Sequence, residues 1–480
     1  MRTFSLLCFA SLAAVANAAA CSGGSSESDL AVNAASLDAA GGNDGRSPEA
    51  QNLASALAAQ GFTVQNGAFA FIDMSNCCAT SCSGNNPSSP YGAFYVPPAP
   101  GQTTPNSNPR PDGTSSGVHL RADEAMVFVG NTPPEGSYFG FTPYLFDRPD
   151  ARGNRKPVFA SLSETLNQRV IGTVGGTPFE QRTAIIAAAD KTTTDRARAA
   201  LVASGVPDGA INVITFDPAL GHFGLDEASD TFGILFRMAV LKDPAKRDAY
   251  IANPGGTLFR ITPIADADAD AGSGTPLPSP PARTKATSPT EQATRPAVDR
   301  LGDAIKNAYL ASTSQAVRVD EGTPDPVSCI QNLTTCAGDN RDTNYPGTPM
   351  RVLFANDDDF YVVFGVDHQA DGKTSYSNAS VYALEKLVGL VSVASDKYPT
   401  SAARYLPGDP DAGKLYAWKF ARHCDGEAFC TVVPKGACPT GIENGAFGNI
   451  TFRTYLEPSS ATAPLSSTLV RDRVLYFKKR

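Results

Sequence analysis

Few residues in this chain are equipped for acid–base or metal chemistry. Four histidines occur among its 480 residues: His119, His222, His368 and His423. Two of them stand in the last third beside carboxylates. Asn356-Asp357-Asp358-Asp359 precedes an apolar run, Asp367-His368 follows it, and His423 adjoins Cys424 after a second run. If those run ends fall on one side of a sheet, Asp367, His368 and His423 form a candidate acid–base centre. Asp357, Asp359, His368 and His423 then form a candidate metal site. Imidazole with carboxylate suits zinc, iron or copper, and carboxylates alone suit calcium. The plainer reading is a set of solvated loop ends, and no cofactor follows from the pattern.

Other motif matches fail on context. Gly113-Thr114-Ser115-Ser116-Gly117 fits G-x-S-x-G. A nucleophile elbow needs a strand before it and a helix after it, and neither is present in the pattern. Asp266, Asp268 and Asp270 resemble the opening of a calcium loop, but the glycine comes one place late and Leu277 stands where the bidentate glutamate belongs. They read as a solvated acidic linker. There is no Walker A motif, no H-E-x-x-H and no dinucleotide-binding glycine fingerprint after a suitable strand. The sequons at Asn332, Asn378 and Asn449 are acceptors only in a host that glycosylates.

The cysteines say more. Cys8 falls in an N-terminal leader and Cys21 at its end, which leaves Cys77, Cys78, Cys82, Cys329, Cys336, Cys424, Cys430 and Cys438 in three clusters. Sequence alone does not fix their connectivity, but parity constrains it. If Cys329 pairs with Cys336 and all are oxidised, each remaining cluster holds three. At least one disulfide must then tie the early chain to the late chain. A zinc site is the competing reading, and it lacks the paired C-x₂-C knuckles of such sites.

The leader itself reads as a secretory signal over residues 1–20. Arg2 supplies the positive start, Leu6–Val15 is a short apolar run, and Ala16-Asn17-Ala18 is a small-residue cleavage site. A second such site, Ala18-Ala19-Ala20, precedes Cys21, so a lipid anchor at Cys21 is the alternative. The apolar run is too short to span a bilayer, and no later stretch predicts a transmembrane helix. The expected location is therefore secreted or extracytoplasmic, or lipid-anchored at the cell surface. The formal net charge is −8 and the pI is near 5.2, with no basic patch, which excludes nucleic acid as an expected partner.

These residues must be positioned by a larger frame. Residues 21–46 are a flexible lead without period. Residues 47–180 open with a helix capped by Ser47 and Pro48, then give strands, a long polar loop from Ser83 to Gly117, and an aromatic run of Tyr138, Phe139, Phe141, Tyr144 and Phe146 read as core. Thr183–Pro263 reads as strand, helix, strand, strand, helix, strand, the pattern of a ferredoxin-like βαββαβ unit over residues 181–264. Its first helix has Thr194 as expected N-cap, and its second has Asp243 before Pro244. In its third strand Phe232, Ile234, Phe236, Met238 and Val240 share one face and Arg237 lies on the other. Residues 265–296 are a Pro-rich linker. Residues 297–480 give a helix and then strands, with a helical interruption expected at Ser380–Val391.

The expected fold is α+β: a β-sandwich formed by the N- and C-terminal thirds, with the ferredoxin-like unit inserted between them. Such folds host many activities, so function does not follow from them. The leading expectation is a secreted or surface-attached, disulfide-stabilised protein of unknown molecular function that binds an extracellular ligand or protein without catalysis. The alternative is a secreted hydrolase or metalloenzyme using the His/Asp set of the last third.

Overall fold

The computed structural model describes residues 46–75, 77–79, 81–264, 274–322 and 325–479. The signal peptide, all but the last residue of the 21–46 lead, Cys21 and the run from Asp266 to Asp270 lie outside the described residues.

The first half begins with α1 (Pro48–Ala59), where the Ser47 side chain accepts the Ala50 N–H at 3.2 Å and Pro48 occupies the first turn. There follow β1 (Phe62–Phe71), β2 (Tyr91–Tyr95), β3 (Ala125–Asn131), β4 (Gly136–Pro149), β5 (Arg155–Ser161), β6 (Leu166–Asn167), β7 (Arg182–Ala188), α2 (Lys191–Ala203), β8 (Ile211–Thr215), β9 (Thr231–Leu241), α3 (Pro244–Ala252) and β10 (Thr257–Pro263). Their strands join in the order β5-β4-β9-β2-β1-β10-β3-β7-β8, with β6 on β4. β1 is the seam: residues 62–67 pair with β10 and residues 68–71 with β2. The sheet curls about this seam. Phe94 of β2 and Phe128 of β3 are three places apart in the strand order, about 14 Å in a flat sheet, yet their ring centroids are 5.3 Å apart. Phe69, Phe141 and Phe236 complete the enclosed aromatic core. On the other face, α1 and α2 bury Leu53, Leu57 and Leu201 against Val127, Ile186 and Phe259.

All six elements expected between Thr183 and Pro263 form, but not in ferredoxin-like order. β7 pairs in parallel with β8 through the α2 crossover, β9 lies between β2 and β4, and β10 lies between β1 and β3. Strands from 47–180 interleave with them. Local pattern sets which segments are strands. Which strands become neighbours depends on which apolar faces meet in three dimensions. The cap of α2 also differs from expectation. Asp190 accepts the Thr193 N–H at 2.6 Å, and Thr194 sits inside the first turn with its hydroxyl on Asp190 O.

The second half holds α4 (Arg295–Ala308), β11 (Ser312–Val317), α5 (Pro326–Asn332), β12 (Thr343–Asn344), β13 (Arg351–Val352), β14 (Phe360–Val366), β15 (Tyr376–Ala383), β16 (Val388–Ala394), β17 (Leu415–Ala421), β18 (Cys430–Val432), β19 (Phe447–Tyr455) and β20 (Arg473–Lys479). They make two five-stranded sheets, β11-β20-β14-β17-β18 and β12-β19-β15-β16 with β13 on β19. Val363, Tyr416 and Phe420 of the first meet Val381, Ile450 and Phe452 of the second in one core. α4 covers the outer face of the first sheet with Val298, Leu301 and Ile305. The sandwich is therefore built by the second half alone, and among the described residues no strand of the first half pairs with one of the second. The helix expected at Ser380–Val391 is instead the β15–β16 hairpin. β15 is buried along its whole length, and a strand covered on both faces loses the alternation that separates it from a buried helix.

Several ties hold the halves together, three of which involve the disulfides, the loop after Cys82 and the linker. The disulfides are Cys77–Cys82, Cys78–Cys438, Cys329–Cys336 and Cys424–Cys430, and the second spans both halves. The loop after Cys82 docks on the β15–β16 hairpin: the Cys82 and Gly84 N–H groups donate to Lys386 O and Leu387 O, both at 2.8 Å. Residues 274–291 of the expected linker are an extended strap, and residues 292–296 turn into the start of α4. Ser279 donates to Asp217 at 2.6 Å, and Arg283 donates to Thr165 O at 2.9 Å and Ala461 O at 2.7 Å.

Candidate functional site

The residues named from sequence do not gather into one centre. Asp357 is exposed, at 2.6 Å from Asn444 Nδ2 and beside Lys435. Asp359 is buried as a turn acceptor, taking the N–H groups of Ala355 and Asn356 and the Tyr476 hydroxyl, each at 2.9 Å. Asp367 accepts the N–H groups of Gln369 and Ala370. His423 is exposed. Among the described residues, the one ligand-sized group of His, Cys, Asp or Glu atoms is Cys77, Cys78 and Cys82, whose sulfurs lie within 4.8 Å of one another. All three are in disulfides, so they offer no thiolate to a metal. Ser115 of the G-x-S-x-G match is fully buried in a loop bridge to Val96.

His368 does meet carboxylates, though not the expected ones. Its Nδ1 lies 2.7 Å from Glu291 of the strap, and its Nε2 lies 3.6 Å from Asp472. Asp472 also accepts the Tyr416 hydroxyl at 2.6 Å, and Glu291 accepts the Val470 N–H at 2.9 Å. Burial works to lower His368, but the two carboxylates outweigh it and raise the imidazole well above its ordinary value. The ring therefore stands as a buried cation with a carboxylate on each nitrogen. It lines an open groove of about 1340 Å³ beneath α4, yet neither nitrogen is free to take a proton from a nucleophile.

A second cavity, of about 640 Å³, lies where the β2-β9-β4 face of the first half meets β19 of the second. Strand alternation puts its key residues there. In β9, Phe232, Ile234, Phe236 and Met238 enter the aromatic core, so Arg237 points to the opposite face. In β19, Ile450 and Phe452 enter the sandwich core, so Arg453 points away from it. Each face would meet water in an isolated sheet, and each is covered by the other half. Arg237 is 3% exposed and Arg453 5%.

Both guanidinium groups are flanked by rings. Arg237 lies over Tyr91 and Tyr144 at 5.1 and 5.3 Å, and Arg453 over Tyr382 and Tyr345 at 5.4 and 5.6 Å. Tyr91, Tyr345 and Tyr455 lie in electrostatic range of both arginines. Burial raises the hydroxyls of Tyr144, Tyr345 and Tyr382 and pushes Tyr455 up to about 12. Tyr144, Tyr345, Tyr382 and Tyr455 are therefore neutral phenols at physiological pH and form no ion pair with either arginine. Arg237 donates to Gly338 O at 3.1 Å and Arg453 to Gly84 O at 3.4 Å. Arg237 Nη1 and Arg453 Nε and Nη1 have no hydrogen-bond partner among the described residues, and neither group forms an ion pair there. Of the nearby carboxylates, Asp73 at the exposed rim accepts the Ser75 N–H at 2.8 Å, and Asp339 lies in electrostatic range of Arg237 without pairing with it. Asp147 holds Arg155 and Thr231, and Asp339 accepts the Ser161 N–H at 2.8 Å and its hydroxyl at 2.6 Å.

Sequence reasoning placed Arg237 on the face opposite the core but gave it no role, and it passed over Arg453. The available signal was a lone arginine in the middle of each of two otherwise apolar or tyrosine-bearing strands, TFGILFRMAVL and NITFRTYL.

Comparison with known proteins adds little. No protein-family model matches the chain, and no curated protein does. Among solved structures, an uncharacterized protein from Burkholderia cenocepacia is similar at 12% identity and a TM-score of 0.38, over 90% of this chain and 85% of that one. The tandem CBM22 domains at the N-terminus of Paenibacillus barcinonensis Xyn10C align at 11% identity and a TM-score of 0.14, over 88% of this chain and 92% of theirs. Neither likeness bears on function.

Proposed function

We propose that this is an extracytoplasmic, non-catalytic binding protein whose ligand seat is the 640 Å³ cavity between the curled sheet and the sandwich. The observation that carries this reading is the pair of buried arginines facing that cavity with unpartnered N–H groups. Buried charge without a partner is costly, and a bound ligand would relieve that cost. The size suits a small molecule, since such sites span roughly 300–1,000 Å³. Four disulfides fit an oxidising compartment, and no described helix is long and apolar enough to cross a membrane. Secretion through the 1–20 leader, or anchoring at Cys21, completes the reading. The hydrolase or metalloenzyme alternative lacks comparable support, because both His368 nitrogens are committed to carboxylates.

The test is a small-molecule screen by thermal shift on the exported, oxidised protein, repeated on Ser116→Trp, which places a large ring at the cavity wall. Hits that stabilise the native protein and fail on the folded variant support the seat. Hits that stabilise both equally place the ligand elsewhere and defeat it.

A further inference from the structure

The chemistry of the cavity narrows its ligand, on the premise that it is a ligand seat at all. Arginine stays protonated in proteins and offers five N–H donors in a planar fork that matches an oxyanion. Here two such forks come from different sheets onto one shared group of tyrosines. Three of their N–H-bearing nitrogens are buried with no acceptor among the described residues. A neutral ligand would leave two buried guanidinium groups without an ion pair among the described residues, whereas an anion would pair with both and supply the missing acceptors. The tyrosine rings can meanwhile cover the flat or apolar body of a ligand.

We infer that Arg237 and Arg453 together hold an oxyanion group, a carboxylate, sulfate or phosphate, of a small acidic ligand. The two arginines act as one clamp that bridges the halves of the molecule. Binding therefore ties the β9 strand of the curled sheet to the β19 strand of the sandwich through the anion.

The experiment uses the oxidised full-length protein with inorganic phosphate, sulfate, and the sugar pair glucuronate and glucose, which differ in the carboxylate. Calorimetric titration and thermal shift are read for the native protein, Arg237→Met, Arg453→Met and Arg237→Lys. At least one anion should bind saturably and raise the melting temperature, and glucuronate should outbind glucose. Each methionine variant should weaken the anion by roughly 10- to 100-fold, the range of one charged hydrogen-bonding group, and Arg237→Lys should fall between. Glucose binding as tightly as glucuronate, with both methionine variants unaffected, would overturn the anion while leaving the ligand seat intact. Saturable anion binding that survives both methionine variants would place the anion elsewhere and overturn the clamp. No anion-dependent shift in the native protein, with methionine variants that melt lower, would make the arginines structural stacks on tyrosine and overturn both readings. Near-ultraviolet circular dichroism of each variant establishes that it is folded before binding is compared.

Discussion

Cys78 and Cys438 are joined by a disulfide across 360 positions of the chain. The bond connects the loop leaving the curled sheet to the β18–β19 loop of the sandwich, and the Cys77–Cys82 bond beside it pins that loop. The same loop forms one wall of the arginine-lined cavity.

The first prediction concerns this bond. A disulfide stabilises by constraining the unfolded chain, more so for longer loops. Replacing Cys78 and Cys438 together by serine should cost on the order of 2–5 kcal/mol, read as a lower denaturant midpoint. Removing Cys424–Cys430, which closes a separation of only 6 residues, should cost less. Non-reducing peptide mapping should recover a fragment holding both Cys78 and Cys438, and its absence would refute the connectivity.

The second concerns the arginine pair without ligand. Arg237 and Arg453 each keep one backbone acceptor and two ring contacts but no ion pair among the described residues. Removing a buried charge that has no ion pair relieves desolvation, so Arg237→Met and Arg453→Met should each raise the anion-free unfolding free energy by about 1–3 kcal/mol, read as a higher midpoint. Lower midpoints would mean that the tyrosine contacts outweigh desolvation.

A third prediction rests on His368. Its folded value is raised by Glu291 and Asp472, so the folded state holds the proton more tightly than the unfolded state does. That contribution is full below the unfolded value of about 6.5 and is lost as pH rises through the higher folded value. Stability measured from neutral to alkaline pH should fall, and His368→Gln should flatten that limb. Glu291→Gln, which leaves the imidazolium with one carboxylate and weakens the anchor of the strap, should cost about 3–5 kcal/mol. An unchanged alkaline slope in His368→Gln would refute the assignment.

A fourth arises at the junction of the halves. Asp342 accepts Tyr138 and Asn167 at 3.0 and 2.9 Å and lies 3.7 Å from Arg283. Burial outweighs these partners and raises its carboxyl to about 7, and burial raises Asp339 to about 6. The folded state therefore keeps protons that the unfolded state releases near pH 4. This contribution is full below that value and is lost as pH rises towards 7. Asp342→Asn should flatten the decline between pH 4 and 7 and be more stable than the native protein at neutral pH. Parallel stability curves for the two proteins would exclude the shift.

Much of the local structure was legible in sequence. Ser47-Pro48 and Asp243-Pro244 mark their helices, because a cap and a first-turn proline act within a few residues. Given a Cys329–Cys336 pair and full oxidation, parity required a bond between the early and late cysteines, and Cys78–Cys438 is that bond. The alternation of β9 already set Arg237 opposite the core face.

Strand neighbours were decided only in three dimensions. β7, β8, β9 and β10 have the periodicity of a ferredoxin-like unit, but that period records which face is buried and not what buries it. Strands from residues 62–149 take the adjacent places instead. The site depended on tertiary structure for the same reason. Asp357, Asp359, Asp367, His368 and His423 are near in sequence pattern yet turn to separate partners. Arg237 and Arg453, 216 residues apart by their numbering, line one cavity because two sheets bury their outer faces on each other. Sequence determined the alternation that turned each arginine away from its own core. Only the docking of the two halves enclosed both charges in one cavity.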